Sequence, residues 1–164
     1  LNDNNFSSII PEEICGLDIL MDNLGESYVW QDSSWDYFNI SNNDSASSSV
    51  IQFRKDSKSE NLKMVSNIKL KSKKFDSLIK EYSINISNFD FWILDLQGSE
   101  LMALDGAQES LEKCNSLLVE VSKDDQYSNA PRWEDIKKFL YQFNFYPNEE
   151  PEDAHSDILF VKRK

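Results

Sequence analysis

Apolar stripes, alternating runs and continuous apolar runs divide this chain into elements of different kinds. At residues 11–26, "PEEICGLDILMDNLGE" places Ile14, Leu17, Leu20, Met21 and Leu24 on one helical stripe. Pro11, Glu12 and Glu13 suit its first turn and Gly25 its stop, so a helix is predicted there. "YVW" (28–30) and "WDYFNI" (35–40) are aromatic and β-branched and predict two strands around a turn at "QDSS". The polar stretch "SNNDSASSS" (41–49) reads as a flexible loop, "SVIQF" as a short strand or turn, and "RKDSKSEN" as a solvated loop. "IKLKSKK" (68–74) alternates Ile68 and Leu70 with Lys69 and Lys71, which predicts a solvated strand edge.

Beyond Ile68 strands and helices alternate. "KFDSLIKEY" predicts a helix with Phe75, Leu78, Ile79 and Tyr82 on one face, and "FDFWIL" a strand. "SELMALDGAQESLEKC" (99–114) predicts one helix, with Leu101, Leu104, Gln108 and Leu111 in register. "SLLVEV" is nearly continuous in apolar residues, as in a parallel strand covered on both faces. Pro131 opens a helix carrying Trp133, Ile136, Leu140 and Phe143, and "DILFVK" is the last strand. Such alternation predicts an α/β fold with a mostly parallel sheet.

Composition narrows the functional classes. The chain has 164 residues, 40% hydrophobic and 12% aromatic, enough for one domain with a sizeable core. Twenty-nine acidic against 17 basic residues leave a net charge of −12, which repels phosphate backbones and argues against nucleic-acid binding. No apolar run approaches the ~20 residues of a membrane-spanning helix, so no membrane partner is expected. Cys15 and Cys114 are far apart and His155 is the only histidine, which excludes a zinc site and points to a reducing, cytoplasmic compartment.

The chemistry concentrates where "FDFWIL" ends. Asp95, Gln97 and Glu100 follow it in "DLQGSE", at the junction where open α/β sheets place their ligands. Gly98 permits a tight turn, and Glu100 falls in the first helical turn, where the dipole favours a carboxylate. On residue types alone, loop capping and helix-end stabilisation explain these side chains as well as a binding site does. A metal-dependent hydrolase built on Asp95 and Glu100 finds no further ligand at a fixed spacing. His155, in the polar turn "EDAHSD", reads as a surface histidine. Trp30, Trp35, Trp92 and Trp133 read as core packing rather than as stacking platforms.

The stretch "FDFWILDLQGSELMALDGAQESLEKCNSLLVEVS" resembles the carboxyl half of the FkbM-type methyltransferases. The matching positions are Asp95, Gln97, Gly98 and Glu100, then Leu104, Gly106 and Ala107, then Glu120. "YFNISNNDSASSSV" resembles the family's strand, Asn-rich turn and Ser-Ser segment, and "LKSKKFDSLIKEY", with Phe75 and Asp76, the element before the motif strand. "IKKFLYQFNFYP" and "HSDILFVKRK" resemble the closing helix and strand, so the resemblance runs over residues 28–164, after a polar segment and helix at 1–27. Three departures stand out, of which Phe75 in place of the family's usual leucine is harmless. Ile93 occupies a position where the family often has lysine, and Gly16, Gly25, Gly98 and Gly106 form no glycine-rich turn after a strand.

The resemblance implies a Rossmann-like class I methyltransferase fold, mostly parallel with an antiparallel final strand. It further implies S-adenosyl-L-methionine as cofactor and a small-molecule or glycan hydroxyl as acceptor, in a sugar or natural product. Asp95, Gln97 and Glu100 then take the catalytic positions, with Glu120, Asn42 and Asn43 toward the substrate. Without the glycine-rich turn, the expectation is a domain truncated at its N-terminus, whose missing half comes from elsewhere. The competing expectation is a noncatalytic α/β remnant that binds a partner or regulates one.

Overall fold

A computed structural model describes residues 26–27, 35–55, 61–123 and 126–163. The helix expected at 11–26 and the strand expected at 28–30 lie almost wholly outside the described residues. Among the described residues there are two sheets. In the first, β1 (Glu26–Ser27) and β2 (Trp35–Ser41) flank β3 (Met64–Ser72). The Lys-rich run is therefore the middle strand of a small sheet rather than an edge, although most of its side chains remain exposed.

The second sheet carries the core. β4 (Phe91–Leu94) pairs in parallel with β5 (Ser116–Ser122), β5 pairs antiparallel with β7 (His155–Lys162), and β7 pairs antiparallel with β6 (Phe145–Pro147). α1 (Phe75–Glu81) precedes β4, α2 (Glu100–Asp105) and α3 (Gln108–Leu111) link β4 to β5, and α4 (Trp133–Tyr141) follows β5. The layering is α/β as expected, but the pairing is mostly antiparallel rather than mostly parallel. A parallel neighbour needs a crossover of a dozen or more residues, and the helical link from β4 to β5 supplies one. The short β6, unforeseen in the sequence, reverses the chain ahead of β7, so both of its pairings run antiparallel.

β5 explains why this sheet holds. Leu117, Val119 and Val121 alternate inward and are buried, joining Trp92, Leu94, Ile158 and Phe160 from the neighbouring strands. Leu104, Leu111, Trp133, Ile136 and Leu140 cover them from the helices. Trp92 and Trp133 are core residues; their indole N–H groups donate to the Phe89 carbonyl and to Glu150.

The single helix expected over 99–114 is two short ones. Ala107 leaves helical geometry at φ −119°, one residue after Gly106 caps α2. The Asp76 N–H donates to the Gly106 carbonyl, while the Asp76 carboxylate accepts from the N–H groups of Glu109 and Ser110 and from the Ser110 hydroxyl. A side chain from α1 thus caps the start of α3 and makes the break favourable.

Candidate functional site

β4 ends at Leu94, and the chain turns into α2 through Asp95, Leu96, Gln97, Gly98 and Ser99. Gln97 and Gly98 are both left-handed, at φ +52° and +93°. For Gly98 this backbone is unstrained, and a Cβ there would crowd Ala130 and the Tyr127 ring at 3.2 Å. For Gln97 it costs about 1–2 kcal/mol, so neighbouring interactions must hold it.

Those interactions belong to the site. The Gln97 Nε2 donates to Asp95 Oδ1 at 2.6 Å and to Glu120 Oε2 at 3.2 Å. The Tyr127 hydroxyl donates toward Gln97 Oε1 at 2.9 Å and toward the Ser47 carbonyl at 3.1 Å. Glu100, only 4% exposed, turns back to its own loop, where Oε1 accepts from the N–H groups of Leu96 at 2.8 Å and Gly98 at 3.1 Å. It fixes the turn that presents Gln97. Asp95 and Gln97, from the β4 terminus, and Glu120, from β5, therefore meet on one rim.

A cavity of about 230 Å³ opens on this rim, lined by Gln97, Glu100 and Glu120 with Ser47, Tyr127 and His155 among others. His155, exposed as the sequence suggested, is brought here by register. β7 runs antiparallel to β5 with His155 opposite Ser122, so the start of β7 lies at the carboxyl end of β5. The same register sets Asp157 opposite Glu120. Tyr127 and Ser47 are not legible as cavity residues in the sequence, and His155 reads there as a surface histidine, because only tertiary pairing makes the three neighbours. The one available signal was an isolated tyrosine in the polar segment after a strand terminus.

Asn42 and Asn43 lie on the loop after β2, the first with its amide turned to the segment before β3 and the second with its amide turned into the loop itself. Asn42 binds the Asn61 carbonyl and the Lys63 N–H, and Asn43 bridges Ser41 and Ser47. They shape the segment that carries Ser47 to the cavity.

Charge is concentrated here. Burial, followed by the nearby Asp95, Glu100 and Asp157 carboxylates, pushes the Glu120 carboxyl up to about 8. Burial also raises Glu100, outweighing the backbone N–H groups that favour its ionised form. The Tyr127 phenol is raised too, chiefly by burial, so it acts as a neutral donor.

The methyltransferase FkbM domain matches residues 18–147, more than half of the sequence. The chain belongs to the FkbM methyltransferase family. No curated protein and no solved structure matches it. The FkbM match spans the motif turn, Glu120, Tyr127 and the Ser/Asn loop, whereas His155 and Asp157 lie beyond it. Among the described residues of this FkbM domain, no helix is long and apolar enough to cross a membrane.

The family implies use of S-adenosyl-L-methionine, and the described cavity does not fit that group whole. At about 230 Å³ it falls below the ~300–1,000 Å³ typical of small-molecule pockets. Gly98, the one glycine at the rim among the described residues, packs against Tyr127 and Ala130 rather than opening backbone toward a ligand.

Proposed function

We propose that this chain takes part in methyl transfer from S-adenosyl-L-methionine to a hydroxyl group of a sugar or natural product, and that its rim forms the acceptor side. The observation that supports this most is the convergence of Gln97, Glu120 and Tyr127 on one cavity at the strand ends, with Asp95 held beside it by the Gln97 amide. The cofactor contributes an electrophilic methyl group when bound. The rim contributes what a hydroxyl acceptor needs, namely orientation by hydrogen bonds and a place for its proton.

Asp95 lies nearest the β4 terminus and is the residue we assign to the acceptor hydroxyl. Burial and the neighbouring carboxylates push the Glu120 carboxyl up, which favours a protonated form able to donate to an acceptor oxygen. Gln97 keeps the two carboxyl groups facing one another, Glu100 braces the turn, and Asn42 and Asn43 hold the covering loop.

Calorimetric titration of the 164-residue chain with S-adenosyl-L-methionine is expected to show binding weaker than micromolar. A fusion supplying a glycine-rich cofactor half ahead of the chain is then expected to transfer labelled methyl to hydroxyl acceptors. In it, Asp95→Ala lowers the rate by more than His155→Ala. Tight stoichiometric binding by the chain alone would overturn the division of the site. Failure of the fusion, with cofactor bound, to methylate any hydroxyl acceptor would leave the noncatalytic reading.

A further inference from the structure

The Tyr127 hydroxyl bridges the motif turn and the Ser/Asn loop, reaching Gln97 on one side and the Ser47 carbonyl on the other. It lies on a ring only 6% exposed, tilted against Phe53 at 5.1 Å and packed over Gly98. Gln52, Phe53 and Arg54 pair by backbone bonds or a bridge with residues 126–128, which fixes the ring's backbone on both sides. A phenol anchored this firmly carries its single proton to a defined place.

That place is shared. The Ser47 carbonyl and Gln97 Oε1 lie within 3.1 and 2.9 Å of the Tyr127 hydroxyl, in a three-centre arrangement. Asp95 and Glu120 dictate which way the Gln97 amide faces, because its oxygen turned toward them would meet oxygens at 2.6 and 3.2 Å. They do not stop the side chain from swinging away. Gln97 sits on a left-handed backbone that favours relaxation, and its far end is held by Tyr127.

We propose that Tyr127 is a positioning residue acting through Gln97: its hydroxyl anchors the carboxamide so that both amide N–H groups stay on Asp95 and Glu120. This rests on the reading of the rim as the acceptor side. Anchored in this way, Gln97 occupies the facing carboxyl oxygens and leaves the outer ones for an acceptor. The bond to Ser47 makes the arrangement depend on the position of the covering loop.

Tyr127→Phe removes the hydroxyl and keeps the ring on Phe53 and Gly98. NMR of the isotopically labelled chain, without donor or acceptor, supplies two readouts. Hydrogen exchange of the Gln97 side-chain amide is expected to quicken by up to about tenfold in the variant, the loss of one hydrogen bond. The Glu120 carboxyl, which faces Asp95, Glu100 and Asp157, is expected to titrate higher in Tyr127→Phe, because its charged form loses a donor.

Gln97→Met, unbranched and without an amide, should raise that titration at least as far. Adding Tyr127→Phe to it should then change nothing. A merely structural role predicts the reverse sign, since a loosened pocket admits water and lowers the Glu120 titration. Unchanged amide exchange, a downward shift or additive effects would each overturn the proposal. An FkbM fusion that binds cofactor but transfers no methyl would instead overturn the functional reading, leaving the NMR result in place.

Discussion

The two sheets are held by different physics. The four-stranded sheet buries Leu117, Val119, Val121, Ile158 and Phe160 under four helices, and the described apolar core cluster lies between Phe75 and Phe160. In the small sheet and its loop, the buried residues include Asn39, Ser41, Ser48, Ser49 and Ser72, all polar. Asn39 Nδ2 donates to the carbonyls of Ser49 and Val50, and the Ser48 hydroxyl accepts from the Ser41 N–H. Apolar burial is non-directional and tolerant, whereas a polar lattice needs each partner in place. The cavity lies where the two meet, so its floor is rigid and its cover is held by a few directional bonds.

The largest expected effect lies in the floor. Leu117→Ala should destabilise the protein by about 2–5 kcal/mol in denaturant unfolding, as for a fully buried leucine. An equal loss from a polar substitution in the loop would break the contrast between the sheets.

Glu100→Ala comes next, because it strips the acceptor from two backbone N–H groups at the junction. The expected loss is about 1–3 kcal/mol, with Glu100→Gln milder because its carbonyl oxygen can still accept. Equal losses for both variants would mean that charge, rather than acceptance, matters at this position.

Ser48→Ala should cost about 1 kcal/mol. Its effect should be local, with faster amide exchange at Ser41 and no change in the exchange of β5. Faster exchange throughout β5 would show that the loop and the core open together.

The last expected effect is spread across pH as a slope. Glu120 titrates near 8 when folded and near its ordinary 4.5 when unfolded, so between these values the folded chain holds more protons. The stability linked to Glu120 is therefore fully present below about pH 4.5 and is lost as pH rises through 8. Thermal scans from pH 5 to 9 should show the midpoint falling further in the native protein than in Glu120→Gln. Parallel slopes would place the Glu120 carboxyl in water.

The same contrast accounts for what could be read in the sequence. β4, β5, β7 and the helices declare themselves through apolar periodicity, and the Asp95-to-Glu120 motif carries the family. The parallel β4–β5 pair and the antiparallel last strand agree with the expectation, whereas a mostly parallel sheet does not, because β6 and the pairing of β2 with β3 add antiparallel neighbours. The segment "SNNDSASSS" reads as flexible because serine and asparagine suit loops, yet here the same side chains bond to one another and to the backbone. His155 and Tyr127 were hidden for a related reason. Their place depends on a strand register and a backbone pairing that local pattern does not encode.

The cap that Asp76 places on α3 has a counterpart at the other end. The Lys162 Nζ donates to the carbonyls of Leu111 and Glu112, so a four-residue helix is tied at its start by α1 and at its end by β7. Helices this short do not persist alone, because nucleation outweighs the few bonds they gain. In the order of folding, α3 must therefore wait until segments from both sides of it in sequence have arrived. Formation of α3 belongs after the rate-limiting barrier, and substitutions within it should speed unfolding rather than slow folding.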